Sequence, residues 1–161
     1  MKTTTLCYIE KDHKYLMLHR TKKKNDASEG KWIGVGGKVE PGESVEECLL
    51  REVFEETNLT LTAYEKRGVI HFKSDQWEEE AMHIYTATDF TGNLAGDCVE
   101  GELAWIPVDE IMELPLWEGD RIFLKKLQED NEKFYMTYTY TGEKLSEVLD
   151  YIENSEILAE K

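Results

Sequence analysis

At 161 residues the chain has the size of one domain, long enough to bury a core. Nineteen Lys plus Arg against thirty-four Asp plus Glu leave a formal charge of -15, which repels phosphate backbones and anionic lipid and excludes nucleic-acid polymers and membranes as general partners. A small anionic substrate is still admissible where a metal ion or a local basic patch reverses the potential.

Residues 3–9 and 15–19 place β-branched, aromatic and aliphatic side chains on either side of a turn-like 11–14, which predicts a β-hairpin. The polar stretch 21–30 predicts a loop. At its start Arg20, Lys22, Lys23 and Lys24 form a basic cluster that can attract a triphosphate or be a solvated surface. Residues 44–57 predict a helix, 69–72, 81–88 and 102–108 predict strands, and 120–129 predict a second helix. In 133–141 the alternation of Phe134, Met136, Tyr138 and Tyr140 predicts a strand ending at Gly142. Beyond it, Leu145, Val148, Leu149 and Ile152 recur at helical spacing where a returning strand needs period two, so 144–152 is open between helix and strand. The mixed order predicts an α+β fold with helices packed on an antiparallel-rich sheet, in a single domain spanning 1–161. Cys7, Cys48 and Cys98 are odd in number and lack C-x-x-C spacing, which argues against a disulfide framework and a structural zinc site. The N-terminus has no long apolar run, and a cytoplasmic address is expected.

The helix at 44–57 has punctuation at both ends. Ser44 and Glu47 make a capping box after the turn Pro41-Gly42, and Asn58 can take the left-handed conformation that stops a helix. Within it Glu52, Glu55 and Glu56 fall in one sector about 100° wide, beside an apolar face that includes Leu49 and Val53. Like charges at these spacings repel. A hard divalent cation resolves the conflict, because magnesium takes carboxylate oxygens and shares its other positions with phosphate. The chemistry this suggests is metal-assisted attack of water on a phosphate. A solvated acidic face, the ordinary reading of a Glu run, explains neither the adjacent Arg51 nor the Gly36-Gly37 loop that leads in.

Gly37, five residues, Glu43, seven residues, then Arg51-Glu52-Val53-x-Glu55-Glu56-x-Asn58-Leu59 resembles the Nudix box, G-x5-E-x7-R-E-U-x-E-E-x-G-U with U aliphatic, departing only at Asn58. The resemblance implies an α/β/α sandwich with a mixed sheet, and a box helix that binds Mg²⁺, with Mn²⁺ as a substitute. It implies that Glu52, Glu55 and Glu56 are metal ligands with the Gly37 carbonyl completing the shell. Glu43 and Arg51 would orient those carboxylates, and Lys38 would meet phosphate, although an ordinary loop lysine explains it equally well. Glu100 is the candidate general base, with Glu102 as its competitor.

Later segments, 100–108 and 114–120, are similar to the MutT-like oxidised-purine nucleoside triphosphatases, the 8-oxo-dGTP diphosphatase branch. That similarity implies that Trp117 stacks on a purine and Asp120 reads its edge, with Phe72 and Met82 in the same pocket. Read without it, Trp117 is core and Asp120 an N-cap. Two departures bear on selectivity: Ile33 stands where the branch commonly has Asn, and Gly119 replaces one of two neighbouring acids. The proline and tyrosine of the ADP-ribose and dinucleoside-polyphosphate branches are missing, with Lys73, Ser74, Gln76 and Trp77 in that region. The expected activity is hydrolysis of a purine nucleoside triphosphate to monophosphate and pyrophosphate. The alternatives are a broad house-cleaning pyrophosphatase and a regulatory domain that binds nucleotide without cleaving it.

Overall fold

The computed structural model describes residues 1–21, 27–96 and 100–159. The predicted hairpin is β1 (Lys2–Lys11) and β2 (Lys14–Arg20), turning through Asp12 and His13, both at positive φ. Strand β6 (Gly101–Pro107) lies antiparallel along the whole of β2, whose other edge takes the two-residue β3 (Trp32–Ile33). On its far side β1 pairs in parallel with β5 (Glu80–Thr91), which is antiparallel to β4 (Thr60–Ser74). Strand β7 (Phe134–Thr141) then adds in parallel to β4, and β8 (Lys144–Leu149) pairs antiparallel with β7 at the edge. The sheet is therefore mixed.

Helix α1 (Val45–Thr57) covers one face and α2 (Glu118–Glu129) the other, and the strands between them sort their side chains accordingly. Leu6 and Tyr8 of β1, with Tyr15 and Met17 of β2, pack with Phe123, Leu124 and Leu127 of α2. The intervening Cys7, Ile9, Leu16 and Leu18 pack with Leu49 and Val53 of α1. Period-two alternation sends neighbours to opposite faces, and both faces are covered, which explains the near-continuous apolar runs in the hairpin. This is the α/β/α sandwich expected of the fold.

Several elements differ from expectation. The open segment 144–152 is an edge strand followed by a bend, and Ile152 is buried in a small cluster with Val69, Ala81 and Ile157. Helix α2 begins at Glu118, two residues early, with Trp117 at its N-cap and no side-chain cap bond. Asp120 lies inside the first turn and is not the N-cap. Strand β3, the 3-10 helix Val108–Glu113 and the short α3 (Ser155–Leu158) were not expected. Lys22, Lys23, Lys24 and Cys98 lie outside the described residues, while Cys7 and Cys48 are buried free thiols. Among the described residues no helix is long and apolar enough to cross a membrane.

Candidate active site

The N-terminus of α1 is locked as its sequence predicts. Ser44 Oγ accepts the Glu47 N–H and Glu47 Oε1 accepts the Ser44 N–H, each at 3.0 Å. At the other end Asn58 adopts φ 65°, donates its backbone N–H to the Phe54 carbonyl, and ties its side chain to the Asn93 carbonyl at 3.1 Å. Asn thus supplies the left-handed residue where the family pattern has glycine.

Arg51 stands at the centre of the acidic face. Its Nε and Nη2 grip both oxygens of Glu43 at 2.6 and 2.9 Å, and its Nη1 reaches Glu52 at 2.7 Å and Glu55 at 3.2 Å. Nη2 also donates to the Lys38 carbonyl at 3.1 Å, which fastens the helix to the loop before it. The two-pronged guanidinium pair, with a backbone hydrogen bond from Glu40 behind it, holds the Glu43 carboxyl down at about 2.

The loop 35–39 runs antiparallel to β1, with bridges at Thr4–Lys38 and Cys7–Val35. A side chain at Gly36 would meet the Thr5 carbonyl at 1.9 Å, and one at Gly37 would meet the Glu52 carboxylate at 2.4 Å. Gly36 is required by its close approach to backbone, whereas a side chain at Gly37 would displace the Glu52 carboxylate. The Gly37 carbonyl, expected to face the acids, turns to β1 and the helix flank, accepting the Thr5 N–H at 2.9 Å and the Cys48 thiol at 3.5 Å. In extended chain successive residues face opposite ways. Gly36 is the one on the acid side, and its N–H donates to Glu56 Oε1 at 2.9 Å.

Glu56 is only 7% exposed, and its other oxygen is buried without a hydrogen-bond partner. Burial first, and the nearby Glu100 second, push its carboxyl up to about 8. Burial also raises Glu52 despite Arg51. Among the described residues no three His, Cys, Asp or Glu side chains are already drawn together as a metal cluster. The fit to a cation rests on donor chemistry: hard oxygens of Glu52, Glu56 and Glu100, mutually repelling, one of them orphaned in the interior.

A cavity of about 610 Å³ runs from this helix to α2. Gly36, Gly37, Lys38, Glu52, Arg20 and Glu100 line one end, with Arg20 paired to Glu100 at 3.3 Å. Phe72, Trp117 and Asp120 line the other, and Met82 joins them. Trp117 is 7% exposed; Phe72 and Tyr140 meet its ring edge-on at 5.9 and 4.9 Å, and its Nε1 donates to Ser28 Oγ at 3.0 Å. It belongs to the core and to the cavity wall at once. Asp120, 5% exposed, is pushed up to about 7 by burial and then by Glu80.

Of the other expected residues, Lys38 is exposed at the cavity and held by its backbone, while Glu55 is largely exposed and lies off the cavity wall. Glu102 sits on β6, exposed, away from the cavity that Glu100 lines. Trp77, Glu80, Tyr138 and Tyr140 are among the wall residues that escaped sequence reasoning. The aromatic alternation of β7 signalled the two tyrosines as a face, but nothing local says what that face meets.

A model of the NUDIX domain matches residues 2–127 of the chain. The chain belongs to the Nudix family. Over 155 residues it is 31% identical to the uncharacterized Nudix hydrolase YvcI of Bacillus subtilis (strain 168), covering 94% of this chain and 93% of that one. It is 32% identical over 135 residues to the oxidized purine nucleoside triphosphate hydrolase of Danio rerio, covering 80% and 85%. The crystal structure of a mutator MutT protein from Bacillus halodurans superimposes with a TM-score of 0.83 at 28% identity, over 92% of this chain and 97% of that one. The chain is thus a MutT-like Nudix hydrolase. Strand β7, which carries Tyr138 and Tyr140 to the cavity, lies beyond the residues matched by the NUDIX model.

Proposed function

We propose that this Nudix protein hydrolyses a purine nucleoside triphosphate to the monophosphate and pyrophosphate, with magnesium as the cofactor and 8-oxo-dGTP among the substrates to be tested. The observation that carries the reading is the continuity of one cavity from the Glu52–Gly36–Glu100 end to the aromatic end at Trp117 and Phe72. The spacing suits a nucleotide laid with phosphates at α1 and base at α2. Glu52 and Glu56 would hold the metal, with Glu55 at its outer side and the Gly36 carbonyl, on the acid side of the loop, as the backbone oxygen. Bound there, magnesium would supply charge neutralisation on the phosphates and a more acidic water. Arg51 orients Glu52 and Glu55 and is itself fixed by Glu43. Glu100, on the cavity wall and steadied by Arg20, would take the proton from the attacking water. Lys38 at the rim offers a cation to the leaving phosphates.

One observation favours breadth over strict selection of an oxidised base. Ile33 lines the cavity and has no group that can hydrogen-bond a base. The test is a panel of 8-oxo-dGTP, dGTP, dATP, CTP, ADP-ribose and a dinucleoside polyphosphate with magnesium. The triphosphates are expected to be cleaved, and Glu56→Gln and Glu55→Gln to lose roughly a hundredfold or more in kcat. A panel with no turnover at all refutes the reading. Unchanged turnover in both variants refutes the assigned roles.

A further inference from the structure

Glu80 enters the cavity from β5, on a strand edge that no motif marks. In the sheet register it stands opposite Phe72 of β4 and Lys2 of β1, so it borders the aromatic floor that Phe72 and Trp117 form. Its Oε2 accepts the Thr4 hydroxyl at 2.5 Å, which orients the carboxylate. Lys2 Nζ lies 3.7 Å from Oε1, an ion-pair distance longer than a hydrogen bond, so Oε1 keeps capacity to accept. Facing the same space is Asp120, a buried carboxyl on the same cavity wall.

We propose that Glu80 is a second base-reading carboxylate: with Asp120 it selects a base that presents several adjacent N–H donors, as a guanine-type edge does with N1–H and its 2-amino group. The inference rests on the nucleotide reading above and names the determinant of the base. Two carboxyl groups offer acceptors and, when ionised, no donors, so a base whose own edge is acceptor-rich leaves both unsatisfied. Asp120 can take N1–H and one amino hydrogen, and Glu80 the second amino hydrogen. Both carboxyl groups line the one cavity, which puts them before a common ligand.

The fold also explains why the second acid comes from β5 rather than from beside Asp120. A side chain at Gly119 would meet the Tyr138 ring at 2.4 Å, and the Gly119 N–H is already given to the Tyr140 hydroxyl at 2.7 Å. The first turn of α2 is pressed against β7 and has no room for a carboxylate there.

The test compares dGTP with dITP, which lacks only the 2-amino group, in wild type and in Glu80→Gln. If Glu80 reads that group, the variant lowers the dGTP to dITP ratio of kcat/KM by about tenfold or more, carried by KM, as expected for loss of a charged hydrogen bond. Because the ratio is taken within one preparation, a fractional loss of folded enzyme cancels. Glu80→Asp, which withdraws the carboxylate by one methylene, lowers the ratio in the same direction and serves should the Gln variant not fold. An unchanged ratio in a wild type that cleaves both nucleotides overturns the role of Glu80 and leaves the hydrolase reading intact. If wild type cleaves neither, the hydrolase reading fails. The same ratio is then read from binding of dGMP and dIMP by tryptophan fluorescence, where no change in the variant overturns the proposal.

Discussion

Replacing Asp120 by Asn should make the free protein more stable at alkaline pH while weakening its hold on nucleotide. The carboxyl is buried and is raised from 3.8 to about 7 by burial first and Glu80 second, with Arg121 and Lys31 opposing. A raised folded-state value means the folded protein keeps a proton that the unfolded chain has lost. Stability contributed by this group therefore falls as pH climbs from about 4 to 7, and is level above that. At about 1.4 kcal/mol per pH unit the whole window is worth roughly 4 kcal/mol. Asn removes the titration but brings an amide with its own unmet donors, which costs about 1 to 3 kcal/mol. The net expectation at pH 8 is a gain of about 1 to 3 kcal/mol, or several degrees in Tm for a chain of this length. At pH 4.5 the advantage is gone.

Thermal unfolding in chelator, followed by circular dichroism at half-unit steps between pH 4.5 and 8.5, reads this as a difference between two curves. Only the difference matters, because Glu56, raised to about 8, titrates in an overlapping window in both proteins. Parallel curves would show that Asp120 has found a partner and is ionised at neutral pH without penalty. A variant less stable at pH 8 would show the same more strongly. The functional counterpart is a rise in KM for guanine nucleotides, since the burial that destabilises the free protein is what desolvates the carboxylate for a base.

Arg51→Lys is expected to cost about 1.5 to 3 kcal/mol in urea unfolding and to lower kcat, because an ammonium cannot grip Glu43 with two prongs while reaching Glu52; a variant within 0.5 kcal/mol, roughly the scatter of surface substitutions, would deny Arg51 its organising role. Asn58→Ala should lose about 1 to 2 kcal/mol from the left-handed penalty and the lost tie to Asn93, with kcat of the folded fraction unchanged. A stability change near zero would mean the helix end relaxes. Gly119→Ala should lose about 1 to 3 kcal/mol and raise KM, as the methyl pushes against Tyr138 on the cavity wall; isothermal titration with a nonhydrolysable nucleotide distinguishes the binding effect from the stability effect.

Local grammar carried most of the secondary structure. The hairpin, α1 with both its caps, α2 and β7 are legible because each is decided by neighbours within one turn or one strand. Strand β4 shows where that fails. It runs from Thr60 to Ser74, yet only 69–72 stands out in sequence. Register shifts at Leu61–Ala63, Ala63–Tyr64 and Lys66–Gly68 reverse which side chains face inward, and a period-two pattern interrupted in this way reads as polar loop. Strand β8 fails for another reason. It is an edge strand with no buried residue and Leu145 alone packed partly against the core, so its spacing is weakly constrained, while Ile152 beyond it is buried.

The same contrast divides the cavity. Its α1 end is written largely in one helix and the loop before it, where Glu43, Arg51, Glu52 and Glu56 are fixed by spacing along one short stretch of chain, and a single family pattern captures them. Its α2 end is assembled from β1, β4, β5, β7 and α2, with Thr4, Phe72, Glu80, Tyr138 and Asp120 up to 134 positions apart. No window of sequence contains that constellation. Glu80 is one acid in a run of three, and only the parallel pairing of β1 with β5 brings it to Thr4 and Lys2. On the proposed reading, the chemistry common to the family is encoded locally, and discrimination among bases would be encoded in tertiary contacts. Substitutions along α1 should accordingly change kcat for every nucleotide together, whereas those at the sheet end should change ratios between nucleotides.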